Sequence, residues 1–378
     1  MRHQTGIINI LMACISLCGC TGEKLLDGPV PDEPESPVEV RFFTTSASTR
    51  AESIGVDAGA DTLVTDAHVR LYPYRQKEGV TDVTVTKNYT VKTETTETSK
   101  VQSLIPDKVD GNNGIEMILP SGTFRFYAVS TNSQDPTVPN FHTADAVGGV
   151  PSNTYGTASV TNGVDYLYAM TQQTIAFGTQ IAHVPLAFKH VGTQVQLTIK
   201  FGESAHAADN NTAKDFNLAK VSIQATSETN AAMHLYDGQI QIDGKSGGTP
   251  GSDAALKEMT VVRSGTVSDG SNIPADQVAT YHLLPLAGAS GQKMKVKIVI
   301  GNLIVGDAAA ATHTYTGSLD ATGGWSAGTS NQYTLTLSGT EIKFSTVTVK
   351  PWETGTSGGQ VGDIEHTDDA SSTGGATP

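Results

Sequence analysis

The stretch KMKVKIVI, residues 293–300, alternates strictly between two kinds of side chain. Met294, Val296, Ile298 and Ile300 fall on one face of an extended chain, and three lysines fall on the other. A period of two is typical of an antiparallel strand with one face on a core and the other in water. The stretch therefore predicts a β fold.

The same alternation recurs along much of the chain. VQLTIKF (195–201) repeats it, and GIEMILPSGTFRFYAVS (114–130) predicts two strands around a tight turn at Pro120-Ser121-Gly122. DVTVTKNYTVKT (82–93) is more polar and predicts a protruding hairpin or an edge strand. Helical periodicity is sparse and no repeat of fixed length is present, so the sequence predicts an all-β chain.

Near the C-terminus, EIKFSTVTV (341–349) changes phase. Its apolar residues occupy even positions at Ile342 and Phe344 but odd positions at Val347 and Val349. This slip predicts a β-bulge or a strand break near Ser345–Thr346.

Composition excludes several classes of protein. The 378 residues contain 24 Lys and Arg against 38 Asp and Glu, which gives a net charge of −14. Such a chain lacks the basic footprint of a nucleic-acid-binding protein. The 39 glycines and the low charged fraction suit an extracellular β protein with many turns. The length favours two domains over one.

All three cysteines lie within the first twenty residues. The apolar run from Ile7 to Leu17 suits the core of a signal peptide and is shorter than the roughly 20 residues of a membrane span. It ends in Leu17-Cys18-Gly19-Cys20, which resembles the bacterial lipobox. That resemblance implies cleavage before Cys20 and lipidation of its thiol, so the mature chain would carry no disulfide. The alternative is an ordinary secretory signal with incidental cysteines.

The chain offers little sequence evidence for catalysis. It has no Gly-x-Ser-x-Gly elbow, no phosphate-binding glycine loop and no His-Glu-x-x-His motif. His183 and His190 would point to opposite faces of a strand, and Asp209–Asp215 lacks the glycine and the final Glu of a known calcium loop. Trp325 and Trp352 alone could form a sugar platform. We therefore predict no enzyme, no cofactor and no metal site.

Several phrases together resemble the fimbrillin family of type V pilus subunits and their anchor and tip proteins. They are the lipobox, LPSGTFRFYAVS, DYLYAM, HVPLAFKHVGTQVQLTIKF and a closing VTVKPW. The resemblance implies two tandem transthyretin-like antiparallel β-sandwich domains. The expected divisions are a signal peptide (1–19), a tether (20–37), an N-terminal domain (38–182) whose first strand is removable (38–50), a C-terminal domain (183–352) and a disordered tail (353–378).

The resemblance also implies a route of assembly. The precursor would reach the outer membrane and cell surface as a lipoprotein carrying palmitate on Cys20. A trypsin-like Arg-specific protease would then cut after Arg50, before Ala51, and remove the first strand. A strand from another pilin subunit would fill the groove by donor-strand exchange. Before the exchange, this chain's own first strand would fill the groove with Val38, Val40 and Phe42, or alternatively Phe43.

Two alternatives accompany this expectation. The first is that Arg50 is simply a solvated loop residue at which no protease cuts. Accessory anchor proteins of the resembled family are likewise not cut there and keep their lipid. The last good strand, Thr346–Val349, is also needed by its own sheet, which favours a tip, anchor or minor-subunit role over the main stalk.

The sequence thus predicts a non-enzymatic structural subunit of a pilus that contributes to adhesion. The alternative is a surface glycan-binding outer-membrane lipoprotein. A third hypothesis is a hydrolase whose carboxylates would meet only in three dimensions.

Overall fold

The structure is a computed structural model of the chain. It describes residues 36–45, 63–76, 86–95, 100–108, 114–141, 156–202, 205–207, 218–263, 275–305, 309–338, 341–351 and 359–360.

The described residues form 23 strands and no helix, which confirms the all-β prediction. Those of the first half are β1 (Pro37–Thr45), β2 (His68–Arg75), β3 (Lys87–Thr95), β4 (Lys100–Pro106), β5 (Met117–Pro120), β6 (Gly122–Ser130), β7 (Thr157–Ser159), β8 (Leu167–Ile175), β9 (Ile181–Ala187) and β10 (Lys189–His190).

The second half contributes thirteen strands. They are β11 (Thr193–Phe201), β12 (Ala205–Ala207), β13 (Lys220–Ile223), β14 (Ala232–His234), β15 (Ile240–Gln241), β16 (Lys257–Glu258), β17 (Thr260–Arg263), β18 (Gln277–Leu283), β19 (Lys293–Val305), β20 (Ala311–Asp320), β21 (Thr329–Ser338), β22 (Glu341–Pro351) and β23 (Gly359–Gln360).

A nine-stranded sheet in the first half runs in the order β10-β8-β6-β2-β3-β4-β1-β5, with β9 added beside β1. Strands far apart in this order contribute to one core, because the rings of Phe42 on β1 and Phe126 on β6 lie 5.4 Å apart. The sheet therefore curves round and closes over its own apolar face.

The second half contains a six-stranded sheet (β17-β18-β11-β21-β22-β23) and a five-stranded sheet centred on β19. The alternating stretch at 293–300 lies in β19, and its four apolar side chains are at most 2% exposed. They pack in one core with alternate residues of β11 and β21. Period-two patterning thus produces the predicted half-buried strand.

A third apolar cluster joins residues from both halves of the sequence. Tyr72 on β2 and Tyr127 on β6 point away from the first core, and they pack with Met233, Leu235 and Leu284. The predicted boundary at 182/183 falls inside β9, which pairs with β1 in the first sheet. The division into two domains stays a prediction.

The structure confirms some of the predictions about individual strands and contradicts others. The bulge is confirmed, because Thr334 pairs with Thr346 and Leu335 with Phe344, which leaves Ser345 outside the ladder. β5 and β6 are two strands, as predicted, but β5 pairs with β1 and β6 with β2 and β8. For 82–93, the edge-strand alternative is wrong where the structure describes it, because β3 lies between β2 and β4. Its antiparallel pairing with the next strand, β4, agrees with the hairpin alternative.

Candidate functional site

The first strand, β1, occupies a groove with a strand on each side. On one side its first half pairs antiparallel with β5 and its second half with β4. On the other side it runs parallel to β9 over seven residue pairs, from Glu39↔Ile181 to Thr45↔Ala187. Without β1, the groove would present unpaired N–H and C=O groups on both walls.

The inner face of β1 is apolar and fully packed. Val38 and Val40 are 0% exposed and Phe42 is 2% exposed. The Phe42 ring meets Tyr89 and Phe126 edge to face, with centroids 5.4 Å from each. Burial of three such side chains contributes roughly 5–9 kcal/mol at about 1.5–3 kcal/mol each. That is of the order of the stability of a whole domain, about 5–15 kcal/mol.

The structure shows which of the two adjacent phenylalanines, Phe42 or Phe43, packs into the groove. Phe42 shares its face with Val38 and Val40 and belongs to the first core. Phe43 points to the opposite face and is half-buried, in register with Ser103 on β4 and Pro185 on β9. Phe42 is therefore the side chain that fills the groove.

The outer face of β1 carries charge. Arg41 Nε lies 2.6 Å from Glu39 Oε1. Glu116, the residue before β5, has its Oε2 atom buried without a hydrogen-bond partner in the described part of the chain. Burial raises the pKa of the Glu116 carboxyl and the nearby Glu39 raises it further, whereas Arg41 and Lys87 lower it.

A buried amide closes the far end of the groove. The Gln102 side chain on β4 is 2% exposed, and its Oε1 accepts hydrogen bonds from Thr44 Oγ1 and Leu63 N, both at 3.1 Å. Its Nε2 donates to Leu63 O at 2.6 Å and to Thr93 Oγ1 at 3.0 Å. Gln102 thus ties the end of β1 to Leu63, the next described residue after β1.

β9 depends on β1 for its place in the sheet. Within the described ranges β1 is the one strand that pairs with β9. Ala182, Val184 and Leu186 on β9 contribute to the same core as the inner face of β1. Loss of β1 would therefore leave β9 with apolar contacts but no ladder.

The other predicted site residues lie elsewhere. Cys20, Arg50 and Ala51 fall outside the described residues, so their predicted roles stay predictions. Arg50 comes after the end of β1 at Thr45 and before the next described residue, Leu63, so a cut there separates β1 from the rest of the chain.

The last long strand, β22, is engaged in its own sheet. It pairs antiparallel with β21 from Thr329↔Pro351 to Ser338↔Glu341. β23 pairs with its other side through Thr348 and Val349. The remainder of the predicted disordered tail lies outside the described residues.

The described residues among those considered for sugar or metal binding form no such site. Trp325 is 1% exposed, and its Nε1 donates to Tyr333 Oη at 3.0 Å, so it offers no stacking face. Trp352 and Asp209–Asp215 lie outside the described residues. In the part described, no group of three or more His, Cys, Asp and Glu side chains is placed to hold a metal ion.

A buried polar cluster that the sequence did not predict lies where β10 meets β8. His190 Nδ1 is 2.7 Å from Asp165 Oδ1, and Asn132 Nδ2 donates to Asp165 Oδ2 at 2.9 Å. Burial alone would raise the pKa of Asp165, but the hydrogen bond and charge of His190 hold it below its ordinary value. Burial lowers the pKa of His282 nearby, against the pull of Asp165.

The described part of the chain contains no helix that is long and apolar enough to cross a membrane.

In the described residues, the fold is all-β and its first strand, β1, fills a gap between later strands. The chain belongs to the fimbrillin-like family, whose profile matches residues 47–352. It is therefore a pilus-related protein of the cell surface, and its family points to interaction with other pilin subunits. Family membership also confirms the prediction that it is not an enzyme.

Solved structures show similar folds at low identity. A candidate cell adhesion protein from Bacteroides fragilis is 18% identical with a TM-score of 0.49, over 84% of this chain and 97% of that one. One from Bacteroides uniformis is 15% identical with a TM-score of 0.46, over 85% and 100%. A fimbrial assembly protein from Parabacteroides distasonis is 13% identical with a TM-score of 0.41, over 85% and 97%. No curated protein matches the chain.

Proposed function

We propose that this chain is a structural pilus subunit that assembles by donor-strand exchange and contributes to adhesion. The observation that carries the proposal is the place of β1, which is buried between two walls and yet comes first among the described strands. A single cut after it frees a whole strand from the rest of the chain. The vacated groove would recruit another strand through main-chain hydrogen bonds and alternate side chains.

The maturation route follows from the same position. The signal peptide (1–19) directs export, and lipid on Cys20 anchors the precursor to the outer membrane. An Arg-specific protease of trypsin type then cuts between Arg50 and Ala51. Removal of residues 20–50 takes away both the lipid and β1, so anchorage is exchanged for a bond to a neighbouring subunit.

The pairing of β22 supports a tip or minor-subunit role over the main stalk, and an anchor role would apply only if Arg50 were left uncut. A strand that is paired along its whole length with β21 is costly to donate, because its departure would open a second gap. The chain then acts chiefly as an acceptor of a strand.

Hydrogen exchange on the full chain tests the proposal. After Arg-specific cleavage and removal of the fragment that ends at Arg50, amides of β9 lose protection. They regain it when a peptide of residues 36–46 is added. The Arg50→Ala variant, treated in the same way, keeps its β9 protection throughout. Unchanged β9 protection in the cleaved protein, with β1 gone, would refute the proposal.

The glycan-binding alternative has a separate readout. A shift in the melting temperature of the intact protein with oligosaccharide, together with no uptake of the 36–46 peptide after cleavage, would favour that function instead.

A further inference from the structure

The resident strand β1 fits the inner face of its groove better than the outer face. Inside, Val38, Val40 and Phe42 are fully packed. Outside, Glu39 is in register with Ile118 on β5 and with Ile181 on β9. These isoleucines are 49% and 40% exposed. Glu39 therefore places its carboxylate between two apolar side chains that are partly exposed to water.

The wall of the groove adds a second mismatch. The register Val40↔Met117 places the next residues, Arg41 and Glu116, beside each other at the point where β1 changes partner from β5 to β4. Arg41 is engaged by Glu39 at 2.6 Å, while Glu116 Oε2 is buried without a partner. Lys87 Nζ is engaged by the carbonyl oxygens of Ile115 and Glu116 and not by the carboxylate.

The charges around Glu116 act in opposite directions. Glu39 repels its carboxylate, whereas Arg41 and Lys87 attract it, and the Tyr89 hydroxyl lies in its field. When β1 leaves, the groove loses Glu39 and Arg41 together and keeps Lys87 and Tyr89. The best replacement would restore the cation without restoring the carboxylate, because an uncompensated buried charge is costly.

We propose that Glu116, Ile118 and Ile181 select the strand that fills the groove: they favour an apolar residue at the place of Glu39 and a basic residue at the place of Arg41. The preferred occupant is then a strand of another pilin subunit with alternating apolar residues inside and this pair outside. β1 meets the second condition through Arg41 but fails the first, because it carries Glu39. It therefore binds the groove tightly enough for the precursor to fold, but less tightly than the strand that replaces it. The inference rests on the proposed function, since it assumes that the groove exchanges strands.

Displacement by synthetic peptides tests the selection. The full chain is cleaved after Arg50, and release of the retained β1 fragment is measured against peptides of residues 36–46. We expect the Glu39→Val peptide to displace β1 at a concentration about tenfold lower than the native peptide. A Glu39→Gln peptide separates the removal of charge from the gain of apolar surface and falls between them. The Arg41→Gln peptide requires a concentration about fivefold higher.

The matched control is the Glu116→Gln protein. In this variant, the Arg41→Gln peptide should displace β1 at the same concentration as the native peptide. The Glu39→Val peptide should still need a lower concentration than the Glu39→Gln peptide, because that difference comes from contact with Ile118 and Ile181. Equal displacement by all four peptides in both proteins would overturn the inference while leaving strand exchange intact.

An intact-chain measurement keeps the two proposals separate. If no peptide, native or altered, ever displaces β1, the proposed function fails. The melting temperature of the uncleaved chain then still tests whether Glu116, Ile118 and Ile181 prefer particular residues on the strand in the groove. Glu39→Val must raise it, and Arg41→Gln must lower it in the Glu116 protein but not in the Glu116→Gln protein. The absence of this coupling would refute the role of Glu116.

Discussion

Replacing Phe42 by alanine tests how strongly the groove holds its strand. The ring is 2% exposed and meets both Tyr89 and Phe126 edge to face at 5.4 Å. Truncation of a buried phenylalanine costs about 3–5 kcal/mol, which includes the lost ring pairs and the cavity that remains. We expect a loss of this size in the free energy of unfolding, which is a large share of a stability of about 5–15 kcal/mol.

The adjacent phenylalanine provides the matched control. Phe43 has the same chemistry and belongs to the same strand, but it points to the outer face and is half-buried. Phe43→Ala should cost about 1 kcal/mol, in line with partial burial. Urea unfolding followed by tryptophan fluorescence compares the two variants, because Trp325 is buried in the second-half core. If unfolding of the two halves separates into two transitions, the first-sheet transition is followed by tyrosine absorbance. Equal losses for both variants would refute the assignment of Phe42 to the groove.

Three further perturbations probe contacts elsewhere in the fold and at the end of the groove. Gly238→Ala would place a Cβ atom 2.4 Å from the Tyr168 ring at a φ of +73°, so it should cost about 2–4 kcal/mol. Gly244→Ala has the same backbone strain (φ +74°) and nothing within 4 Å, so thermal unfolding should show a loss nearer 1 kcal/mol; equal losses would deny the ring contact. Asp165→Asn removes a carboxylate with a lowered pKa, whose stabilisation is present at neutral pH and is lost as pH falls below about 4. The variant should therefore be about 2–4 kcal/mol less stable at pH 7, and its deficit should shrink in urea titrations below pH 4; a deficit that did not change with pH would contradict this charge state. Gln102→Ala leaves Leu63 N and O without their partner, so a loss of about 2–4 kcal/mol in urea unfolding is expected, and a loss below 1 kcal/mol would exclude Gln102 as the tie at the end of β1.

Patterns confined to a few residues could be predicted from the sequence. The alternation at 293–300 specifies a half-buried strand because the side-chain period is a property of the extended backbone itself. The phase slip between Phe344 and Val347 revealed the bulge at Ser345 for the same reason. The strand Val38–Phe43 was predictable too, and it lies within β1.

Pairing between distant segments could not be predicted in this way. Nothing local in Glu39–Thr45 indicates a parallel partner at Ile181–Ala187, because register is fixed by the whole core. The threonines and lysines of β3 give it a polar sequence that favoured an edge strand, although Tyr89 and Val91 are fully buried. The hydrogen bond between Asp165 and His190 joins residues whose separate sequence contexts carry no signal of each other.

The N-terminus of the assembled protein shows whether the first strand has been exchanged. SDS-resistant assemblies formed after limited Arg-specific proteolysis of the full chain with other pilin subunits would be isolated and analysed by mass spectrometry. We predict that this chain begins at Ala51 in every assembly and that no fragment of residues 20–50 accompanies it. Assemblies in which the chain still begins at lipidated Cys20 and retains β1 would contradict exchange of the first strand.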